Sequence, residues 1–231
     1  MKILFTGFKP FLEDLINPTE EIVKYLKSEF QNPNLDIQIY YLILPVSFKD
    51  SPAMVLEFVK KNNFQHTDWI IMNGLAKGRK TIDFEKVALN WVQSSNPDEN
   101  GFKPESNWIM TDKDKAYFSD FDLNQWKEHL NKELKSKSLC QSNIEFGTSF
   151  YAGTFVCNYI YYFVSQNDPL NMKKVFIHWP ASDEMISVKK KSSLPNIHIH
   201  GQLVTSVPSY PQSDLNILSE LILKEVNQLR A

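Results

Sequence analysis

Two residues carry the strongest chemistry in this chain of 231 residues: Cys157, in "AGTFVCN", and His178, at the end of "KVFIH". A cysteine reacts as its thiolate, and a helix N-terminus favours negative charge. The run "NYIYYFV" after Cys157 reads as a helix, which puts the thiol in its first turn. The competing reading is a buried small hydrophobe. A buried strand ending in His-Trp-Pro brings the His178 imidazole to a sheet edge. There it is either the base for a sequence-distant cysteine or a hydrogen-bonded structural histidine. A carboxylate would orient such an imidazole. Glu85 in "TIDFEKVALN" is one candidate, with Asp83 and Glu99 in competition. Asp83 and Glu85 share a face if their segment is extended. His198 and His200, in "HIH", would point one way on a strand, yet no Cys, Asp or Glu at ligand spacing completes a metal site.

These residues need a frame, and the pattern around them supplies one. "KILFTGF", "DIQIYYLILP", "WIIMNG", "KVALNWV", "NIEFGTS" and "KVFIHWP" read as strands. "NPTEEIVKYLKSEF" reads as a helix capped by Asn17, with Pro18 in its first position and Glu20 completing a capping box. "SPAMVLEFVKKNN" repeats a Ser-Pro helix start. Helices follow near Asp122 to Leu134, from Cys157 to Gln166, and in "SDLNILSELILKEVNQL". Residues 94–118 are a polar loop or arm rich in Pro, Asn and Asp, and residues 181–212 read as loop with a strand at Ile197 to Val207. The alternation predicts one α/β domain, residues 1–231, with a mostly parallel central sheet and helices on both faces. Ligands of such sheets bind beyond the carboxyl ends of strands, where Thr6-Gly7-Phe8, Asn73-Gly74 and His178 fall.

Composition narrows the function classes. Lys plus Arg total 25 against 27 for Asp plus Glu, which leaves no electrostatic footprint for nucleic acid or a membrane surface. The Lys189-Lys190-Lys191 run reads as a solvated loop. With 42% hydrophobic residues the chain can fill a sizeable core, and no run approaches a membrane span. "MKILFTGF" starts directly as a strand and shows no signal peptide, so a cytoplasmic protein with reduced thiols at Cys140 and Cys157 is expected. "GLAKGR" is not a P-loop, and neither "GTSFYAG" nor "FVCNY" forms a nucleophile elbow.

Taken together, "ILFTGFKPF", "NPTEEIV", "LPVSF", "GLAKGR", "FEKVALN", "AGTFVCN" and "FIHWP" occur in an order and spacing that resembles the pyroglutamyl-peptidase I (pyrrolidone-carboxylate peptidase) family of cysteine peptidases. The resemblance runs from residue 3 to about residue 180. It implies removal of N-terminal pyroglutamate from peptides without metal or cofactor, and a phosphorylase/hydrolase-like α/β fold with a twisted sheet. It also implies a Glu85, Cys157, His178 catalytic triad. Phe8, Phe11, Phe155 and Val156 would line an apolar pocket for the lactam ring, with Leu75 and Arg79 as further substrate contacts. Partners would be peptides with N-terminal pyroglutamate, in a homodimer or homotetramer.

The chain departs from the family pattern around the pocket. Leu12-Glu13 stand where members usually have two glycines, Leu75 where glutamine is common, and Tyr151 where a Thr often stands. Trp179-Pro180-Ala181 replace the usual continuation after the histidine. A catalytically weak relic or binding protein of the same fold, or a cysteine hydrolase for another small cyclic or amide substrate, are the alternative readings.

Overall fold

The computed structural model describes residues 1–30, 37–191, 197–199, 202–204 and 206–228. Strand and helix alternate as β1 (Lys2–Phe8), α1 (Pro18–Glu29), β2 (Gln38–Leu44), α2 (Asp50–Lys61) and β3 (Trp69–Leu75). β4 (Thr81–Glu85), β5 (Val87–Leu89), β6 (Ala116–Phe118), α3 (Leu123–Lys137) and β7 (Glu145–Ser149) follow. The chain continues through α4 (Val156–Asn167), β8 (Lys173–Trp179), β9 (Ala181–Ser182) and α5 (Asp183–Lys191). It closes with β10 (Ile197–Ile199), β11 (Gln202–Val204), β12 (Ser209–Tyr210) and α6 (Gln212–Gln228). No helix among the described residues is long and apolar enough to cross a membrane.

Six strands form the central sheet in the order β2-β1-β3-β8-β4-β7. β2, β1, β3 and β8 run parallel, β4 pairs antiparallel to β8, and β7 runs parallel to β4. The expected mostly parallel sheet with helices on both faces is therefore present, with its direction reversed once, between β8 and β4.

Strand alternation splits the core into two layers. Ile3, Phe5, Trp69, Ile71, Ile82, Phe84, Val175 and Ile177 face one side, where α1, α3 and α6 cover them. Leu4, Phe8, Ile70, Met72 and Phe176 face the other, against α2 and α4. The α4–β8 connection is fixed by a buried ion pair. Asp168 accepts from Met172 N at 2.6 Å and from Lys174 Nζ at 2.8 Å. Buried charges persist when paired and hydrogen-bonded in this way. The connection thus couples the helix that carries Cys157 to the strand that carries His178.

Local signals hold in part. The Asn17 side chain accepts from Thr19 N at 3.0 Å and caps α1. Glu20, expected to close a capping box, instead lies 3.2 Å from Lys24 Nζ. α2 begins at Asp50, before the Ser51-Pro52 pair, because Ser47 Oγ receives Asp50 N at 3.0 Å one turn earlier. Residues 181–212 were expected to be loop, and that reading is corrected: Asp183–Lys191 is helix α5, which includes the Lys189-Lys190-Lys191 run. Among its described side chains the deep anchors are the adjacent Met185 and Ile186, too few to give a helical period. The single strand expected at Ile197 to Val207 is instead an antiparallel pair, β10 with β11. His200, half of the "HIH" pair, lies outside the described residues.

Candidate active site

Alternation also delivers the reactive groups to one face. Ile82 and Phe84 belong to the α1/α3/α6 layer, so Asp83 and Glu85 must face α4. In β8, Ile177 and Trp179 take that same far layer, so His178 joins Phe176 on the α4 side. Across the antiparallel β4–β8 pair, Asp83 is the register partner of His178 and Glu85 that of Phe176. Across the parallel β3–β8 pair, Gly74 is the register partner of His178.

Cys157 enters this face from above. A Cβ built on Gly74 would lie 2.8 Å from Cys157 Sγ and 2.9 Å from the Phe176 ring. The missing side chain at Gly74 is therefore the space the sulfur fills, beside the strand position of His178. α4 is held there by Asn158, which donates to Leu89 O at 2.9 Å and Trp91 O at 3.0 Å and accepts from Leu89 N at 2.7 Å. The preceding loop turns through Gly153 at φ 82 and is hooked by Gln93 N to Thr154 O at 3.0 Å. Phe155, the N-cap of α4, makes no side-chain cap bond, so no capping side chain competes for the first-turn N–H groups.

His178 Nδ1 lies 2.6 Å from Glu85 Oε1. An ionised carboxylate only accepts, so Nδ1 carries the proton and Nε2 is left as the basic nitrogen. Arg79 reaches the same carboxylate oxygen, Nη2 to Oε1 at 2.8 Å, and its Nη1 lies 2.8 Å from Asp83 Oδ2. Thr81 Oγ1 donates to the other Asp83 oxygen at 2.7 Å. No hydrogen bond joins Cys157 Sγ to His178 among the described residues; such contacts commonly tighten only when substrate binds.

The electrostatics follow from burial. Burial pushes the Cys157 thiol up to about 12, with the Glu85 charge adding and the Arg79 charge opposing. Burial also lowers the His178 imidazole, against the raising effect of the Glu85 hydrogen bond and charge. Burial raises the Glu85 carboxyl, but the His178 hydrogen bond and the nearby positive charges outweigh it, and the group sits below its ordinary value. We take Glu85 as ionised, because the Arg79 guanidinium pairs with it directly. The resting site is then a neutral thiol beside a neutral imidazole, with the Glu85 carboxylate on the Nδ1 side of the ring.

An aromatic cluster belongs to the same core layer as Cys157. Phe11 and Phe155 rings are 5.8 Å apart, and Phe48 packs edge-on against Phe155 at 5.2 Å and Tyr159 at 5.3 Å. Phe8 and Val156 are buried in the same layer. Leu75 is not brought to this cluster. One residue beyond Gly74, it packs with Ala181, Met185, Ile186 and Val207. Arg79 is engaged by carboxylates and by Tyr151 O at 3.0 Å. Phe48 and Tyr159 were not singled out from the sequence, although Phe48 ends the "LPVSF" segment that carried part of the resemblance. Segment 94–118 braces Phe48: Asp98 Oδ2 accepts from Phe48 N at 3.1 Å and Glu99 Oε2 from Val46 N at 2.9 Å. Leu12, which replaces a family glycine next to Phe11, has φ 55, the left-handed region that glycine enters without strain.

A pyroglutamyl peptidase family model matches residues 1–207. The pyrrolidone-carboxylate peptidase of Thermosipho melanesiensis is 34% identical over 193 residues, 82% of this chain and 88% of that protein. The one from Oceanobacillus iheyensis is 31% identical over 225 residues, 96% of this chain and 97% of that protein. Among solved structures, the pyrrolidone carboxyl peptidase of Fervidobacterium islandicum superposes with a TM-score of 0.79 at 28% identity, covering 99% of both chains. Pyroglutamyl peptidase I of Bacillus amyloliquefaciens gives 0.76 at 26%, covering 98% of this chain and 94% of that one. With a family model matching about nine-tenths of the chain, and strand register setting a histidine and a glutamate on the face that the helix-borne Cys157 covers, the chain belongs to the pyroglutamyl peptidase family.

Proposed function

We infer that the protein is a cysteine peptidase that removes the N-terminal pyroglutamyl residue from peptides. The observation that carries this is the buried His178–Glu85 contact at 2.6 Å, on the strand face over which Cys157 Sγ sits. In this reading His178 Nε2 takes the thiol proton as sulfur attacks the carbonyl carbon of the pyroglutamyl peptide bond. The C–N bond breaks as the same imidazole returns the proton to the leaving amine, and a thioester remains. Water, deprotonated by His178, then hydrolyses it and frees pyroglutamate and the thiol. Glu85 holds the ring tautomer and stabilises the transient imidazolium. First-turn N–H groups of α4 face the developing oxyanion, where preorganised donors act strongly.

The lactam is flat and uncharged. Aromatic walls at Phe11 and Phe155, with Phe8 and Val156 behind them, suit it, and would reject charged glutamate for want of solvation. Phe11→Ala should raise KM for a pyroglutamyl amide roughly tenfold or more, since burial against such a wall is worth about 1.5–3 kcal/mol. Steady-state kinetics with an unchanged KM would remove Phe11 from the pocket. Leu75, packed with Ala181, Met185, Ile186 and Val207, is not needed by this reading.

A chromogenic pyroglutamyl amide tests the activity directly, and one equivalent of iodoacetamide should abolish cleavage by alkylating Cys157. Cys140 should stay unlabelled at neutral pH: its thiol is raised to about 12 by burial and by Asp214, and among the described residues no contact joins it to a histidine. Full turnover after complete alkylation of Cys157, shown by peptide mass mapping, would rule out cysteine catalysis. The mechanism needs a reduced thiol, which a cytoplasmic setting maintains. We also propose, from the resemblance, a homodimer or homotetramer; a monomeric mass by sedimentation would refute it.

A further inference from the structure

We propose that Arg79 is a positioning residue that makes Glu85, and not Asp83, the carboxylate partner of His178. The inference rests on the proposed Cys157–His178 chemistry and concerns how its base is set. Register alone would favour the other carboxylate. Asp83 is directly opposite His178 across the β4–β8 pair, and Glu85 is one pleat further along, opposite Phe176. Directly opposed side chains on one face are the closest neighbours in an antiparallel pair, and diagonal ones lie further apart. Yet the imidazole bonds to Glu85.

The contacts explain the reversal. Both Asp83 oxygens are occupied: Oδ2 by Arg79 Nη1 at 2.8 Å and Oδ1 by Thr81 Oγ1 at 2.7 Å. A Cβ at Gly147 would lie 2.2 Å from Asp83 Oδ1, so the neighbouring strand has left room for this pose. The second guanidinium nitrogen grips Glu85 Oε1 at 2.8 Å, the oxygen that His178 Nδ1 also reaches. Arg79 itself is presented by a turn, with Gly78 at φ 92, and anchored through Nη2 to Tyr151 O at 3.0 Å. A fixed planar fork can hold two carboxylates in defined poses, as a lysine ammonium cannot.

Charge gives the arrangement its function. The charged and titratable groups facing the ring are Glu85 and Asp83 from β4, Arg79 from the β3–β4 turn, and Cys157 from α4. Two carboxylates and one guanidinium leave a single negative charge for the imidazolium to meet. Without Arg79, two negative charges would face it and hold a proton on the ring. The directions agree: Asp83 and Glu85 raise the His178 titration and Arg79 lowers it.

The test is the acid limb of the kcat/KM profile, together with the imidazole proton resonances of His178 followed against pH. Arg79→Gln should move the limb and the His178 titration to higher pH, and lower kcat/KM at neutral pH by roughly ten- to hundredfold through misplacement of the ring. Adding Asp83→Asn to Arg79→Gln should bring both back toward the wild-type position, a coupling between the two side chains that a merely structural arginine would not show. An unmoved titration in Arg79→Gln, or one that Asp83→Asn fails to return, overturns the proposal. Should Arg79→Gln not fold, Asp83→Asn alone decides. Loss of that carboxylate with Arg79 in place must move the titration to lower pH, and an unmoved one overturns the proposal. A wild type without activity on the pyroglutamyl amide would defeat the functional reading instead, and the His178 resonances would still decide the role of Arg79.

Discussion

Replacing His178 by alanine should lower kcat/KM on a pyroglutamyl amide by roughly four to six orders of magnitude, and replacing Cys157 by alanine should do the same. The reason is that the two act as one unit. The Cys157 thiol is pushed up to about 12 by its surroundings, so almost no thiolate exists at neutral pH without a base to take the proton. In the proposed mechanism His178 is that base, so either deletion alone should stop attack. Glu85→Gln should cost roughly ten- to hundredfold less than either, because the orienting group acts through the ring rather than on the substrate. The pH profile follows with a definite sign. Burial lowers the His178 titration from the ordinary imidazole value of 6.5, so the base is free at neutral pH. The acid limb of wild-type kcat/KM should therefore lie below pH 6.5, with activity lost as pH falls through the folded-state value. Wild-type turnover in His178→Ala, with near-UV dichroism unchanged, would sink the base assignment; an acid limb above pH 6.5 would contradict the depressed imidazole.

How much of this was readable beforehand differs by level. The strands and the long helices were legible because their periods are strong: "WIIMNG" and "KVFIH" are continuous apolar runs, and α1 carries a cap and a proline at its start. β4 was weighed only as an extended possibility, because "TIDFE" mixes two acids into a short run. Its antiparallel direction could not be read at all, since direction depends on which neighbour a strand finds and not on its own pattern. That direction matters, because it sets Asp83 opposite His178 and so creates the choice that Arg79 resolves. α5 was missed for the opposite reason: its sequence is polar, and among its described side chains the apolar anchoring is the pair Met185 and Ile186. Cys157 and His178 stood out by type alone, yet the pattern left each with a structural alternative. What joins them is spatial, a register between β3 and β8, and nothing in the spacing along the chain encodes it. Phe48 was hidden in the same way. It reaches Phe155 because Asp98, some fifty residues along the chain, receives its backbone N–H.

Gly74→Ala should cut kcat/KM about a hundredfold, although it adds one methyl group and removes no reactive atom. The new Cβ would come within 2.8 Å of Cys157 Sγ and within 2.9 and 3.1 Å of two Phe176 ring atoms. One of the three must give way. Phe176 cannot move readily: it is fully buried, with the Tyr161 ring at 5.7 Å and the His178 ring at 4.9 Å. β3 cannot retreat either, being paired to β8 from Trp69 to Leu75 and to β1 over its first half. The sulfur is the softest of the contacts, so the displacement falls on the Cys157 thiol. Asn158 holds the next residue of α4 by three bonds to Leu89 and Trp91, which confines the adjustment to the Cys157 side chain itself. A core overpacked in this way loses about 1–3 kcal/mol, so the melting temperature should fall by several degrees while the protein still folds. KM should change little, because the adjustment stays within the Cys157 side chain and leaves Phe11, Phe155 and Val156 in place, and the loss should appear in kcat. Alkylation of Cys157 by iodoacetamide should slow in parallel, which separates a displaced thiol from a damaged pocket. If Gly74→Ala kept wild-type kcat and wild-type alkylation rate, Cys157 would not occupy the space above β3, and the placement of the nucleophile beside His178 would have to be abandoned.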